Sequence, residues 1–165
     1  MSERVRIGFI GAGGIARAHM RRLAEVPEAE VVAFADPSEE AIARMFEDHP
    51  DMADRPVFQD YRQMLDEVEM DAVEIHTPHT LHFQQAMDVL ALDLPLLLEK
   101  PMVTTTAHAQ ALIKAAEGKI LGISYQRHYQ PTYVYVKQLV ESGELGRLQF
   151  LAALQSQNWY RGTMG

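Results

Sequence analysis

The chain has no cysteine among its 165 residues. That absence excludes a disulfide framework and any thiolate zinc site, and leaves the redox compartment open. It is also short of positive charge: 15 Lys and Arg stand against 23 Asp and Glu, for a net charge of -8. A nucleic-acid backbone or anionic membrane would have to be met by a local basic patch, and none is present. No apolar run approaches the length of a membrane span. The polar opening Met-Ser-Glu-Arg leads into a short strand without the hydrophobic stretch of a signal peptide, so the cytoplasm is the expected location. Internal repeats and low-complexity tracts are missing as well. What remains is ordinary globular composition, 47% hydrophobic and 23% charged. The length suits one well-buried domain with the start of another, since a two-domain enzyme takes about twice as many residues.

Short apolar runs alternate with amphipathic stretches. Strands are expected at Val5 to Ile10, Val31 to Ala35, Ala72 to His76, Leu96 to Leu98 and Ile120 to Ser124. Helices are expected at Ile15 to Val26, from the cap Ser38 to His49, and from the cap Asp60 to Val68. Further helices fall at Leu81 to Leu92, Ala107 to Ala116 and Thr132 to Glu141, the last closing at Gly143. This alternation predicts an α/β fold with a doubly wound parallel Rossmann sheet over residues 1–125. Residues 126–165 then form a connecting helix and the start of a second, α+β substrate or oligomerisation domain. Arg147 to Tyr160 reads as its first strand, with Leu148, Phe150, Ala152 and Leu154 on one face. Such an edge invites pairing with a second chain, and a homo-oligomer is expected; an amphipathic tail is the plainer alternative.

Gly11-Ala12-Gly13-Gly14-Ile15-Ala16 follows the first strand and opens the first helix. In that G-x-G-x-x-A pattern Gly11 permits a tight turn, Gly13 lets the backbone approach a diphosphate, and Ala16 keeps the helix near the sheet. The diphosphate would sit on the helix N-terminus at Gly14 and Ile15, where free N–H groups and the dipole favour an anion. Asp36 ends the second strand twenty residues after Ala16, where a carboxylate accepts hydrogen bonds from the adenosine ribose. NAD is therefore expected and NADP disfavoured: a 2′-phosphate would face Asp36, with no Arg or Lys at positions 37 to 40. Arg44, further along, is the residue that could weaken that reading.

Two more segments carry chemistry. His76-Thr77-Pro78-His79-Thr80-Leu81-His82 lies at the carboxyl end of a strand, where open α/β sheets bind ligands. Pro78 breaks any common helical face and no acidic residue follows at ligand spacing, so the segment reads as a cofactor-lining loop and no metal site is expected. Leu96-Leu97-Leu98-Glu99-Lys100-Pro101 is an apolar strand ending in a charged pair. Lys100 would be partly desolvated there and suited to proton transfer, unless Glu99 and Lys100 are simply a surface pair.

The order of these motifs, with Arg127 to Pro131 and Glu141-Ser142-Gly143-Glu144-Leu145-Gly146 behind them, resembles the Gfo/Idh/MocA oxidoreductases, the glucose–fructose oxidoreductase and inositol dehydrogenase group. The resemblance covers essentially the whole chain. It implies an NAD(P)-dependent dehydrogenase acting on a hydroxyl-bearing carbon of a sugar, cyclitol or related polyol. It also implies that Lys100 touches the reacting hydroxyl and the nicotinamide ribose, and that the Lys100–Pro101 peptide is often cis. Thr77, Pro78 and His82 would line the nicotinamide side, with Glu99 as a cofactor-side partner. Family members run to twice this length, and their second domain carries an aspartate and a histidine that complete the active site. The isolated chain is thus expected to bind dinucleotide but not to turn over. Where the family usually closes a helix with glycine, this chain has Asp93-Leu94-Pro95. A non-catalytic nucleotide-sensing or partner-binding Rossmann protein is the alternative, since some relatives act in transcriptional regulation.

Overall fold

A computed structural model of the chain describes residues 4–154 and Ser156. Six strands are present: β1 (Val5–Ile10), β2 (Ala29–Ala35), β3 (Val57–Phe58), β4 (Ala72–Ile75), β5 (Leu96–Leu98) and β6 (Leu121–Ile123). Five helices alternate with them: α1 (Gly14–Leu23), α2 (Glu39–Asp48), α3 (Tyr61–Glu67), α4 (His82–Ala91) and α5 (Thr106–Ala115). All neighbouring strands pair in parallel, in the order β3-β2-β1-β4-β5-β6. This is the doubly wound Rossmann sheet, with its reversal of strand order between β1 and β4.

The strands are apolar because helices cover both faces of the sheet. Side chains alternate between the two faces. On one, Ile10, Val73, Ile75, Leu96 and Leu98 pack with Met64, Val89, Leu90 and Leu112 from α3, α4 and α5. On the other, Ile7, Phe9, Val31 and Phe34 pack with Ala16 and Met20 of α1 and Ile42 and Met45 of α2. Phe9 meets Phe34 edge to face at 5.8 Å. Local signals set the helix starts: the side chains of Ser38, Asp60 and Thr105 accept hydrogen bonds from Ala41, Arg62 and His108 N–H at 3.2, 2.9 and 3.2 Å. At the other end of α4, Asp93 takes the left-handed conformation, φ +57, that glycine usually supplies. The Asp93 carboxylate pairs with Lys119 Nζ at 2.7 Å, and the same ammonium donates to Leu90 O of α4 at 2.5 Å. A cation thus sits on the carbonyl end of α4, where the helix dipole favours one.

Differences from the sequence expectation are local. α1 stops at Leu23 rather than Val26, because Glu25 and Val26 donate to the carbonyls three residues back in a tightened last turn. β3 was not anticipated, as two residues carry no periodicity. The chain divides after Tyr125 into two compact units. The second holds a short 3-10 turn, Gln126–Tyr129, and α6 (Pro131–Glu141), whose residues are all at least partly exposed. Arg127 hydrogen-bonds the Tyr133 hydroxyl and lies over that ring. The expected strand from Arg147 does not form over residues 147–154, which pair with no strand among the described residues. A strand without a ladder partner leaves its backbone groups to water and has nothing to hold it extended. The rest of that expected strand, apart from Ser156, lies outside the described residues. Among those residues no helix is long and apolar enough to cross a membrane.

Candidate cofactor and catalytic site

The switch point opens a cavity of about 610 Å³. Its walls bring together five of the expected residues, Gly11, Gly13, Asp36, Thr77 and Pro78. Gly11 follows β1 with φ +95, a conformation open to glycine. A Cβ there would also come within 3.0 Å of the His76 carbonyl carbon and 3.1 Å of Thr77 Cγ2. The turn is wedged between β2 and β4 by two hydrogen bonds of 2.8 Å, from Gly11 N–H to Ala35 O and from His76 N–H to Ile10 O. Gly13 behaves differently, since a Cβ there would meet no atom within 4 Å. The space it leaves is free for a ligand.

α1 begins at this turn with no side-chain cap and no acidic residue in its first turn. Its unsatisfied N–H groups and positive dipole end therefore suit an anion. The Asp36 carboxylate closes the same corner. Its Oδ2 accepts from Ala12 N–H at 2.7 Å and its Oδ1 from Ser38 N–H at 2.8 Å. Asp36 is thus both the turn residue before Pro37 and a wall of the cavity, and a carboxylate retains lone pairs for ribose hydroxyls after two such bonds. Arg44 does not line the cavity; it pairs with Glu40 at 2.6 Å on the exposed face of α2. The diphosphate and ribose elements of NAD thus fit the residues present.

One stretch of the wall was not foreseen. Gln59, Asp60, Tyr61 and Arg62, from the start of α3, also line the cavity, beside Asp36, whose N–H donates to Phe58 O at 2.9 Å. Tyr61 donates its hydroxyl to Asp88 at 2.6 Å, and Arg62 lies 4.6 Å over the Tyr61 ring and pairs with Asp88 at 3.1 Å. Burial and the bond to Asp88 raise the Tyr61 hydroxyl above its ordinary range. The Asp60 cap marked a helix start in the sequence, but only the pairing of β3 with β2 carries that start to the cofactor corner.

Gly14, Ile15, His82, Glu99 and Lys100 lie outside the cavity wall. His82 is fully buried, its ring nitrogens 2.9 and 3.0 Å from the carbonyl oxygens of Pro101 and Thr77. Through these two bonds it joins the Thr77-Pro78 loop to the Lys100-Pro101 turn. That peptide is cis. Thr77 Oγ1 donates to Gln85 Oε1 at 2.5 Å, tying the loop to the next turn of α4. Lys100 is exposed rather than partly desolvated, since β5 ends at Leu98 and Lys100 stands beyond the sheet edge.

Glu99 turns inward instead. Its Oε2 accepts from Lys100 N–H at 3.1 Å and its Oε1 lies 3.1 Å from His19 Nε2. His19 Nδ1 lies 2.8 Å from Glu74 Oε2, and the same oxygen is 3.0 Å from His76 Nε2. All four side chains are buried. Strand alternation explains the meeting, because Glu74 and His76 of the β4 strand end and Glu99 beyond β5 share the face that α1 covers. Burial opposes charge on Glu74, yet the hydrogen bonds from His19 and His76 hold its carboxyl at about 2. Burial likewise opposes charge on His19, but carboxylates at both ring nitrogens raise it above an ordinary histidine, while burial pushes His76 down. No sequence motif signalled this cluster; the polar residues alternating in Val73-Glu74-Ile75-His76 were its one trace.

Comparison with known proteins places this geometry. The sequence model of the Gfo/Idh/MocA family, described as an oxidoreductase family with an NAD-binding Rossmann fold, matches residues 5–125. The chain is 31% identical to the rhizopine catabolism protein MocA of Rhizobium meliloti, over 98% of its own length and 52% of that protein's. It is 32% identical to an inositol 2-dehydrogenase of Streptomyces avermitilis, over 89% of this chain and 43% of that one. Among solved structures, the WlbA dehydrogenase of Bordetella pertussis, in complex with NADH and UDP-GlcNAcA, is 29% identical with a TM-score of 0.79, covering 88% of this chain and 44% of its own. The chain spans about half the length of the curated relatives it matches.

Proposed function

The chain belongs to the Gfo/Idh/MocA family of NAD-binding Rossmann-fold oxidoreductases, and from that premise we propose that it is the cofactor half of a dehydrogenase acting on a hydroxyl-bearing carbon of a polyol, cyclitol or sugar. The observation that carries this reading is the corner formed by Asp36 and the uncapped start of α1, a ribose acceptor and an anion seat facing one cavity. Gly11 makes the turn, Gly13, Gly14 and Ile15 offer backbone N–H groups to the diphosphate, and Asp36 accepts from the adenosine ribose. When bound, NAD supplies the hydride acceptor or donor at its nicotinamide ring. Thr77 and Pro78 bound the space beside Gly11 and exclude water from that side, with His82 holding their loop in place. Lys100 exchanges the proton of the reacting hydroxyl, and Glu99 fixes the backbone at Lys100 through the bond to its N–H.

Asp36 favours NAD over NADP by charge repulsion against a 2′-phosphate. Residues 126–165 begin the substrate domain, which encloses the reacting carbon and supplies the contacts between subunits of a homo-oligomer. The work is done in the cytoplasm, where the nicotinamide pool is. Calorimetric titration of the chain tests the cofactor reading: NAD binds and NADP binds more weakly, and tighter NADP overturns it. A panel of inositols, other polyols and aldoses with NAD, followed at the NADH absorbance, tests the substrate class. It is run on this chain, where turnover stays negligible for want of positioning, and on a chain of the relatives' length, where activity that disappears in K100A is expected.

A further inference from the structure

The buried cluster behind the cofactor turn is not explained by the fold. Two histidines and two glutamates occupy places where apolar side chains would pack as well, and replacing buried ionic groups by hydrophobic ones is often neutral or stabilising. His76 borders the cofactor cavity, yet the proposed dehydrogenase gives neither it nor Glu74 a chemical role. We propose that His19, Glu74 and His76 form a binding site for one divalent transition-metal cation, Zn²⁺ being the best match, with Glu99 as the outer carboxylate that orients His19.

Donor chemistry and spacing support the assignment. One ligand atom from each of the three residues lies within 4.8 Å of the others. His19 Nδ1 and His76 Nε2 stand 2.8 and 3.0 Å from Glu74 Oε2. Tetrahedral zinc with bonds of about 2.0–2.2 Å spaces its ligands by roughly 3.4 Å, so opening these pairs by about half an ångström admits the ion. Two imidazoles and a carboxylate are a ligand set that such metals take. The second nitrogen of His19 faces Glu99 Oε1 at 3.1 Å, the outer-carboxylate arrangement that fixes a ligating histidine in one tautomer.

Charge supports it too. Both nitrogens of His19 face carboxylate oxygens, those of Glu74 and Glu99, and no lysine or arginine side chain pairs with either carboxylate among the described residues. A divalent cation held by Glu74 offsets that pair of buried carboxylates. The donors stand on α1, on β4 and on the residue just after β4, which its N–H ties to Ile10 O, so packed backbone holds them in place before the ion arrives. The loop histidines play no part: His82 is committed to two carbonyl oxygens, and His79 is exposed.

The test needs no cofactor or substrate, so its failure would leave the dehydrogenase reading intact. The metal-stripped full chain is titrated with CoCl₂ and the visible d–d absorption followed, then ZnCl₂ is added in competition. One ion per chain is expected, displaced by zinc, with E74Q weakening the affinity at least about 100-fold and E99Q by about 10–100-fold. H79A and H108A should bind as the unmodified chain does. No cobalt band at about ten equivalents, or an E74Q variant that binds undiminished, overturns the proposal. Circular dichroism checks that E74Q is folded. Should it not be, zinc X-ray absorption on the unmodified chain decides: two imidazoles and oxygen in the first shell uphold the site, and fewer than two imidazoles overturn it.

Discussion

At the β1–β2 end of the cleft the walls are backbone, Gly11 and Gly13 with one carboxylate hydrogen-bonded to main-chain N–H groups, whereas behind the β4–β5 end four ionisable side chains meet below the surface. The first end draws its parts from one stretch, β1 to Ser38, and leaves them facing a cavity. The second gathers residues from α1, β4 and the end of β5 and closes over them. A ligand seat needs donors and acceptors left unsatisfied at the surface. A buried cluster stands only when its charges satisfy one another. The first end should therefore answer to mutation in binding, and the second in stability.

The largest effect expected is at the buried end. His19→Leu strips both buried glutamates of their shared partner and should cost about 3–5 kcal/mol in urea unfolding. Arg44→Ala, which breaks an exposed ion pair, should cost under about 0.5 kcal/mol in the same measurement. A His19→Leu chain within 1 kcal/mol of the unmodified one, on the order of an ordinary surface change, would erase the contrast. At the open end, Asp36→Ala should cost about 1.5–3 kcal/mol of NAD affinity by calorimetry, the range of a charge-assisted hydrogen bond, and should narrow the preference over NADP.

Gly13→Ala separates the two kinds of effect at one position. The added methyl group meets no protein atom, so thermal unfolding should barely move, while NAD binding falls roughly 10-fold as the methyl intrudes on the diphosphate. Equal losses in both would show that Gly13 serves the fold and not the ligand. The smallest effect is expected at Asp71, an exposed carboxylate just before β4, at the sheet edge away from the cavity. Its Oδ2 accepts from the Arg6 side chain at 3.1 Å and from the Arg6 N–H at 2.8 Å, which holds its pKa below the ordinary carboxylate range. A carboxyl depressed in the folded state binds fewer protons there than in the unfolded chain. Its contribution is therefore present above about pH 4, the unfolded range, and fades as pH falls through the folded value. Asp71→Asn should flatten that acid limb of the stability curve and shift neutral stability far less than His19→Leu does.

The open end was legible because its chemistry is local. Gly11 to Ala16 and Asp36 belong to one βαβ unit, and spacing along a strand, turn and helix is spacing in space. Helix starts at Ser38 and Asp60 were legible for the same reason, a side chain reaching an N–H two or three residues on. His76 and His82 show where such reading stops. Both lie in one short segment that reads as a cofactor loop, yet one turns under α1 and the other between two carbonyl groups. Lys100 was expected to be partly desolvated, and its neighbour Glu99 is the one that goes inside.

By itself, then, the sequence determined the order of the strands and helices of the sheet apart from β3, the glycine turn and the carboxylate beside it, and through them the family. The period of two along a strand and the reach of a cap need no partner distant in the chain. Tertiary structure alone decided that α1 lies over Glu74, His76 and Glu99, that β3 carries the start of α3 to the cavity, and that the segment after Arg147 forms no strand over residues 147–154. Each of these depends on which surfaces meet across the sheet, and packing between residues far apart in sequence is set by the whole fold.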